Sequence, residues 1–352
     1  MNLEEVLSIS KQNGCSDVHL TTDFPIIARK NGKLFVAEDA KLDAESLERA
    51  ISSLLSVENQ QLFKQGKDVD AAYEDRFGQR YRLNAYHSFG KPACAIRILS
   101  DKIPTLLGLS LPSVVASLAD LPQGLVLVTG PTGSGKTTTL AAMIDHINQK
   151  RNAHIITIED PIEYAFTPKK CLIHQREIHR DVEDFGSALR SALREDPDVI
   201  MVGEMRDLET ISLAITAAET GHLVLSTLHT SSAPSTIDRI INVFEASKQQ
   251  EIRQELSSVL AGILCQRLIP TADGLGRKAA MEILINNEAT KNLIRDGKNA
   301  QLAAIMEMSS GIGMQLMDQN LAFLVQQGTI TQEEALKACH QVTAFKRYLI
   351  QG

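Results

Sequence analysis

The run "LVLVTGPTGSGKTTT", Leu125 to Thr139, decides the fold. Four apolar residues lead into a glycine-rich loop, and Lys136 opens a segment that reads as helix to about Gln149. Gly130 to Thr137 fits G-x-x-x-x-G-K-[ST], with a strand before it and a helix after it. Each part has a physical task. Glycines at 130, 133 and 135 let the backbone N–H groups of Gly130, Pro131, Thr132, Gly133, Ser134 and Gly135 (all but the proline) curl around phosphate oxygens. The helix N-terminus at Lys136, Thr137 and Thr138 adds partial positive charge. Lys136 reaches the β- and γ-phosphates, and the Thr137 hydroxyl ligates Mg²⁺. A guanine-reading NKxD tetrapeptide and an LSGGQ signature are both missing, so ATP is favoured over GTP.

Outward from this loop, short apolar runs alternate with helical stretches: "LVLVTG", "HIITIED", "DVIMVGE" and "LVLSTLH". Continuous apolar strands in a βα alternation predict an α/β fold with a parallel sheet buried on both faces. In such a sheet the C-terminal strand ends form the ligand crevice. Three of these ends carry polar chemistry: Glu159, Asp160 and Glu163 in "TIEDPIE", Glu204, Arg206 and Asp207 in "GEMRD", and His229 in "STLHT". The run "DPDVIMVGEMRD", Asp196 to Asp207, has Gly203 where nucleotide-hydrolysing enzymes usually carry an Asp. The magnesium shell is therefore assigned to Thr137 and, through water, Glu204. Glu163 is assigned as general base, and the reverse assignment of the two glutamates stays open.

The 352 residues are too many for one ordinary core and predict two domains. The first, 1–100, reads as a small α+β domain. It has a helix from Leu3 to Lys11, a hairpin through Asn31-Gly32, two short helices within 43–65, and strands in "VDAAYED", "QRYRLNAYHS" and "ACAIRIL". Residues 101–112, with two prolines, read as a linker, and 113–352 as the nucleotide-binding domain with a mostly helical final 80 residues. Five well-separated cysteines, Cys15, Cys94, Cys171, Cys265 and Cys339, argue against a disulfide framework or a structural zinc and for a reducing cytoplasm. No signal peptide or membrane-spanning run is visible. A net charge of -7, 4% aromatics and no basic stripe count against a nucleic-acid translocase built on the same core. Intact Lys136, Glu163 and Glu204 count against a scaffold without turnover.

These residues together resemble the secretion and type IV pilus ATPases. "ITIEDPIE" looks like the family's Asp box, "DPDVIMVGEMRD" like its atypical Walker B, and "TAAETGHLVLSTLHT" like its His box. "GCSDVHL" and "QRLIP" extend the resemblance across the chain. It is closest to the retraction branch. Extension and secretion members usually carry a long N-terminal region and a four-cysteine zinc insertion that this sequence does not show. "ATKNLIRD", Ala289 to Asp296, is similar to the retraction signature AIRNLIRE and departs at Thr290, Lys291 and Asp296. The resemblance implies a PAS-like N-terminal domain, a RecA-like P-loop ATPase domain with a helical C-terminal part, and a homohexamer with ATP bound between domains. It implies an inner-membrane pilus platform protein and the pilus machinery as partners, with the ATPase peripheral at the cytoplasmic face of the inner membrane. It also implies catalytic roles for His229 and for four arginines: Arg82 and Arg97 from the N-terminal domain, and Arg190 with Arg194, four apart on one helix face. An accessory or extension motor of the same family is the alternative.

Overall fold

The structure is a computed structural model that describes residues 3–30, 32–99 and 102–351. The chain divides into two compact units, Met1–Lys102 and Ile103–Gly352.

In the first unit, α1 (Leu3–Gln12) precedes β1 (Asp17–Thr21), β2 (Pro25–Lys30) and β3 (Lys33–Lys41). Two helices follow, α2 (Ala44–Ser52) and α3 (Val57–Lys64), then β4 (Val69–Glu74), β5 (Arg80–Ser88) and β6 (Lys91–Ile98). The six strands form one antiparallel sheet in the order β3-β2-β1-β6-β5-β4. Alternation along β5 sends Tyr81, Leu83 and Ala85 into the core against Leu7, Leu47, Ile51 and Phe63 of the helices. Arg80, Arg82 and Asn84 fall on the opposite face. Lys30 lies opposite Lys33 across the first hairpin, whose expected turn residue Asn31 is outside the described residues. Strand β1, which the sequence pattern did not suggest because its five residues bury only Val18 and Leu20, is central in the sheet.

The second unit runs α4 (Ser113–Ala119), β7 (Gly124–Thr129), α5 (Lys136–Lys150), β8 (His154–Glu159), β9 (Leu172–Glu177) and α6 (Phe185–Ala192). It continues with β10 (Val199–Val202), α7 (Leu208–Glu219), β11 (Leu223–Leu228), α8 (Ala233–Ile241), α9 (Gln249–Val259), β12 (Leu260–Pro270) and β13 (Arg277–Ile285). Five helices close it: α10 (Glu288–Arg295), α11 (Leu302–Met308), α12 (Met317–Gln326), α13 (Gln332–Ala338) and α14 (Val342–Gln351). The sheet order is β13-β12-β7-β11-β10-β8-β9, parallel except for the β12–β13 pair. The continuous apolar runs are explained by two cores. Leu125, Leu127, Ile156, Ile158, Ile200 and Val202 enter one, while Val126, Val128, Ile155, Val199 and Met201 enter the other. β7, β10 and β11 are buried on both faces, which is why their sequences are almost continuously apolar.

The segment 101–112, expected as a linker, belongs to this unit from Ile103 onward. Ile103, Leu106 and Leu111 pack on the second of the two cores, and Asp101 lies outside the described residues. The mostly helical C-terminal end contains a nine-residue strand, β13, which pairs with β12 over its whole length.

Candidate active site

Strand β7 ends at Thr129, and the next six residues form the expected loop before α5. Gly130, Gly133 and Gly135 have φ of 140°, 77° and 87°. At Gly130 glycine is also a steric necessity, because a Cβ would lie 2.2 Å from the Gln266 carbonyl oxygen. Gly135 caps α5 without a side-chain hydrogen bond, so the first amides of that helix have no partner within it and are free to meet an anion. The buried Ser134 hydroxyl has no hydrogen-bond partner, a polar vacancy of the kind a phosphate oxygen fills. Lys136 is 9% exposed, and its ammonium donates to the carbonyls of Gly130 (2.9 Å) and Pro131 (3.1 Å). Burial lowers its pKa, and the carboxylates of Glu204 and Glu163 oppose that shift.

Those two glutamates therefore share the electrostatic neighbourhood of Lys136, as the strand-end argument required. Glu204 follows Gly203 at the end of β10, with its side chain 18% exposed. One oxygen accepts from Arg206 at 2.8 Å, and the other lies 3.3 Å from His229 Nε2. Burial raises the Glu204 pKa, but the Arg206 hydrogen bond and His229 outweigh it and hold the carboxylate below its usual range. His229 Nδ1 is 3.5 Å from the Lys136 ammonium. An imidazole with its proton on Nε2 accepts from the lysine and donates to Glu204. His229 thus bridges the phosphate loop and the Walker B strand end.

The glycine at 203 has a packing reason. A Cβ there would sit 3.3 Å from the Ile158 carbonyl oxygen, 3.5 Å from Glu159 Cα and 3.7 Å from Phe185. A side chain there would crowd the β8 backbone beside Glu159, which is itself 5% exposed. Burial pushes the Glu159 pKa up to about 7, opposed by hydrogen bonds from Thr157 and Gln175 and raised further by Glu163. Asp160 is exposed. Glu163 is half-buried on a segment pinned from both sides. Ile162 N–H donates to Glu177, Phe166 N–H donates to Gln175, Gln175 donates to the Tyr164 carbonyl, and Tyr164 OH meets Thr138 Oγ1 at 3.1 Å. Gln175 and Glu177 come from β9, a polar strand at the sheet edge that the apolar pattern did not reveal.

The arginines divide. Arg190 lies on α6 and pairs with Glu209. Arg194 does not share its helix face: α6 ends at Ala192, Leu193 is the C-cap, and Arg194 is exposed in the turn beyond. The reason is downstream, where Asp196 adopts φ 54° before Pro197 and cannot continue a helix. Arg82 and Arg97 face each other across β5 and β6 in the first unit. Arg97 is 63% exposed and donates to Asp17 at 3.1 Å.

Gln266, the residue the sequence argument passed over, is 3% exposed on β12 against the phosphate loop. Its amide donates to the Ser134 carbonyl at 2.7 Å and accepts from the Thr139 hydroxyl at 2.7 Å. Its signals were an amide inside the apolar strand "LAGILCQRLIP" and its place at the head of "QRLIP", neither of which assigned it a role. Among the described residues no group of three or more His, Cys, Asp or Glu side chains could hold a metal. The donor set at the loop, one hydroxyl and one carboxylate, suits an ion that shares its shell with phosphate and water. The loop, Lys136, Thr137 and Glu204 thus fit a magnesium nucleotide.

The type II/IV secretion system protein family matches residues 93–351. A curated relative from Pseudomonas aeruginosa, "Type IV pilus retractation ATPase PilT", is 44% identical over 95% of this chain and 97% of its own. "Twitching motility protein" from Neisseria gonorrhoeae is 48% identical over 84% of this chain and 79% of its own. Among solved structures, the "Pilus Retraction Motor PilT and Bound ADP" superposes with a TM-score of 0.92 at 44% identity, covering 99% of both chains.

Proposed function

The chain belongs to the type II/IV secretion system protein family, and from that premise we propose that it is an ATP-hydrolysing motor that powers type IV pilus retraction and twitching motility. The observation that carries the chemistry is the convergence of Lys136, His229 and Glu204 beside the phosphate loop. Those groups lie at C-terminal strand ends of one parallel sheet.

In this reading the loop amides and Lys136 hold the β- and γ-phosphates, and Thr137 with Glu204 holds Mg²⁺, which when bound neutralises charge on the phosphate oxygens. Arg206 and His229 fix the rotamer of Glu204, and His229 links it to Lys136. Glu163 orients the attacking water and takes its proton. Its segment is tied to β9 and to Thr138, so the base is preorganised rather than mobile. Arg190 and Arg194 supply positive charge near the nucleotide from one copy. Arg82 and Arg97 supply it from the N-terminal domain. Arg82 lies opposite Arg97 across β5 and β6, and Arg97 is held by Asp17 in this structure, so in this reading the Arg97 guanidinium exchanges Asp17 for phosphate oxygens.

The assembly we propose is a homohexamer acting on an inner-membrane platform protein and the pilus machinery from the cytoplasmic face. No helix among the described residues is long and apolar enough to cross a membrane. The domains we propose are an N-terminal domain of 1–100 and an ATPase domain of 113–352, to which the segment from Ile103 adds its packing. The test is phosphate release from Mg·ATP by the purified full chain and by Lys136→Ala. Wild-type turnover with loss in the variant supports the reading, and equal rates overturn it.

A further inference from the structure

Gln266 meets the phosphate loop twice: its side chain bridges the two ends of the turn into α5, and its own carbonyl occupies the space that the missing Gly130 side chain leaves. We propose that Gln266 is a positioning residue that sets the conformation of the phosphate loop for nucleotide binding. The inference rests on the ATP-binding reading above.

The geometry constrains the loop at three points. Gln266 Nε2 donates to the Ser134 carbonyl at 2.7 Å. A trans peptide plane places C=O and N–H on opposite sides, so pinning the Ser134 oxygen toward β12 turns the Gly135 N–H away from β12. Gln266 Oε1 accepts from Thr139 at 2.7 Å, which fixes the first turn of α5 relative to the same strand. The Gln266 carbonyl stands where a Cβ of residue 130 would be, at 2.2 Å, so the loop entrance is fitted to β12 by contact. Gly135 is fitted likewise, since a Cβ there would meet Gln266 Nε2 at 2.8 Å.

The bridge sits on a stiff support. Thr129 pairs with Cys265 and Met281 with Gln266, so β12 is clamped between β7 and β13. Thr139 and Ser134 are 1% and 3% exposed, so water does not compete for these hydrogen bonds. A glutamine fits this position because one amide both donates and accepts. Leucine does neither. Glutamate accepts from Thr139 but sets a carboxylate oxygen against the Ser134 carbonyl.

The test uses the full chain and variants Thr139→Val, Gln266→Leu and Gln266→Glu. The measurements are MANT-ADP affinity, KM and kcat for ATP, and thermal melting. A loop-positioning role predicts weaker MANT-ADP binding by about 2–10-fold for each hydrogen bond lost. The order expected is Thr139→Val mildest, Gln266→Leu next and Gln266→Glu worst, with KM rising more than kcat falls. Unchanged MANT-ADP affinity, within twofold, in folded Gln266→Leu and Gln266→Glu overturns the proposal, even if melting falls. Should Gln266→Leu not fold, the other two variants decide by the same criterion. A wild-type chain that binds no MANT-ADP overturns the ATP reading itself. Wild-type binding with insensitive Gln266 variants overturns this inference alone.

Discussion

Alanine at Gly130 should cost the second unit far more than alanine at Gly133, although both glycines lie in one loop at positive φ. At Gly133, with φ 77°, an added methyl meets nothing within 4 Å. Its cost is the left-handed backbone, about 1–2 kcal/mol. At Gly130, with φ 140°, the methyl would sit 2.2 Å from the Gln266 carbonyl. That oxygen is strand backbone, in a β12 that pairs with β7 up to Cys265 and with β13 through Gln266, so it has little room to move. Backbone strain of about 1–3 kcal/mol and overpacking of about 1–3 kcal/mol therefore add, giving about 2–6 kcal/mol. In a unit of this size that corresponds to a fall in Tm of about 4–24 °C. If the strand does not yield, the loop must, and nucleotide affinity is lost instead. Scanning calorimetry and an ADP titration on Gly130→Ala and Gly133→Ala separate these outcomes. A Gly130→Ala protein that melts with Gly133→Ala and binds ADP equally well would refute the claim that β12 shapes the loop.

Three further outcomes are expected. Glu163→Gln should keep Mg·ATP affinity and lose about 10²–10⁴ in kcat, whereas Glu204→Gln should also weaken the magnesium dependence of turnover; the opposite pattern in a magnesium titration would exchange the two roles. Glu159 holds its proton longer in the native than in the unfolded state, with a pKa of about 7 against 4.5. The stability this contributes is complete below pH 4.5 and is lost as pH rises to about 7, at most about 3 kcal/mol, so Glu159→Gln should flatten the fall in unfolding free energy across that window. On α10, Ile294 is fully buried, Leu293 partly so, and Arg295 exposed. Arg295→Ala should leave ATP hydrolysis within about twofold, as exposed substitutions usually do, yet stop retraction; matching loss of both activities would make the residue structural.

Much of the site was legible because its chemistry demands particular residues in fixed order. The glycines and Lys136 of the loop, and the polar ends of β8, β10 and β11, could be read directly from a run of buried strands. What escaped follows from physics that a linear pattern does not carry. Strand β9 is polar because it is an edge, yet Gln175 and Glu177 hold the segment bearing Glu163. Gln266 is one amide in an apolar strand, and its importance depends on a loop 132 residues away in sequence. Arg194 fits helical spacing with Arg190, but Asp196 and Pro197 end the helix first. Thr290, an apparent defect in an apolar signature position, is fully buried because its hydroxyl accepts from the Asn287 N–H and completes the capping box of α10.

The central claim is that ATP turnover in this chain drives pilus retraction, and the most direct measurement is made in cells. Surface pili and twitching would be scored in a piliated host whose own copy carries Lys136→Ala. The account predicts pili that accumulate on the surface of cells that no longer twitch, because extension continues while retraction stops. Bald cells would assign the chain to extension, and normal twitching would remove it from retraction altogether.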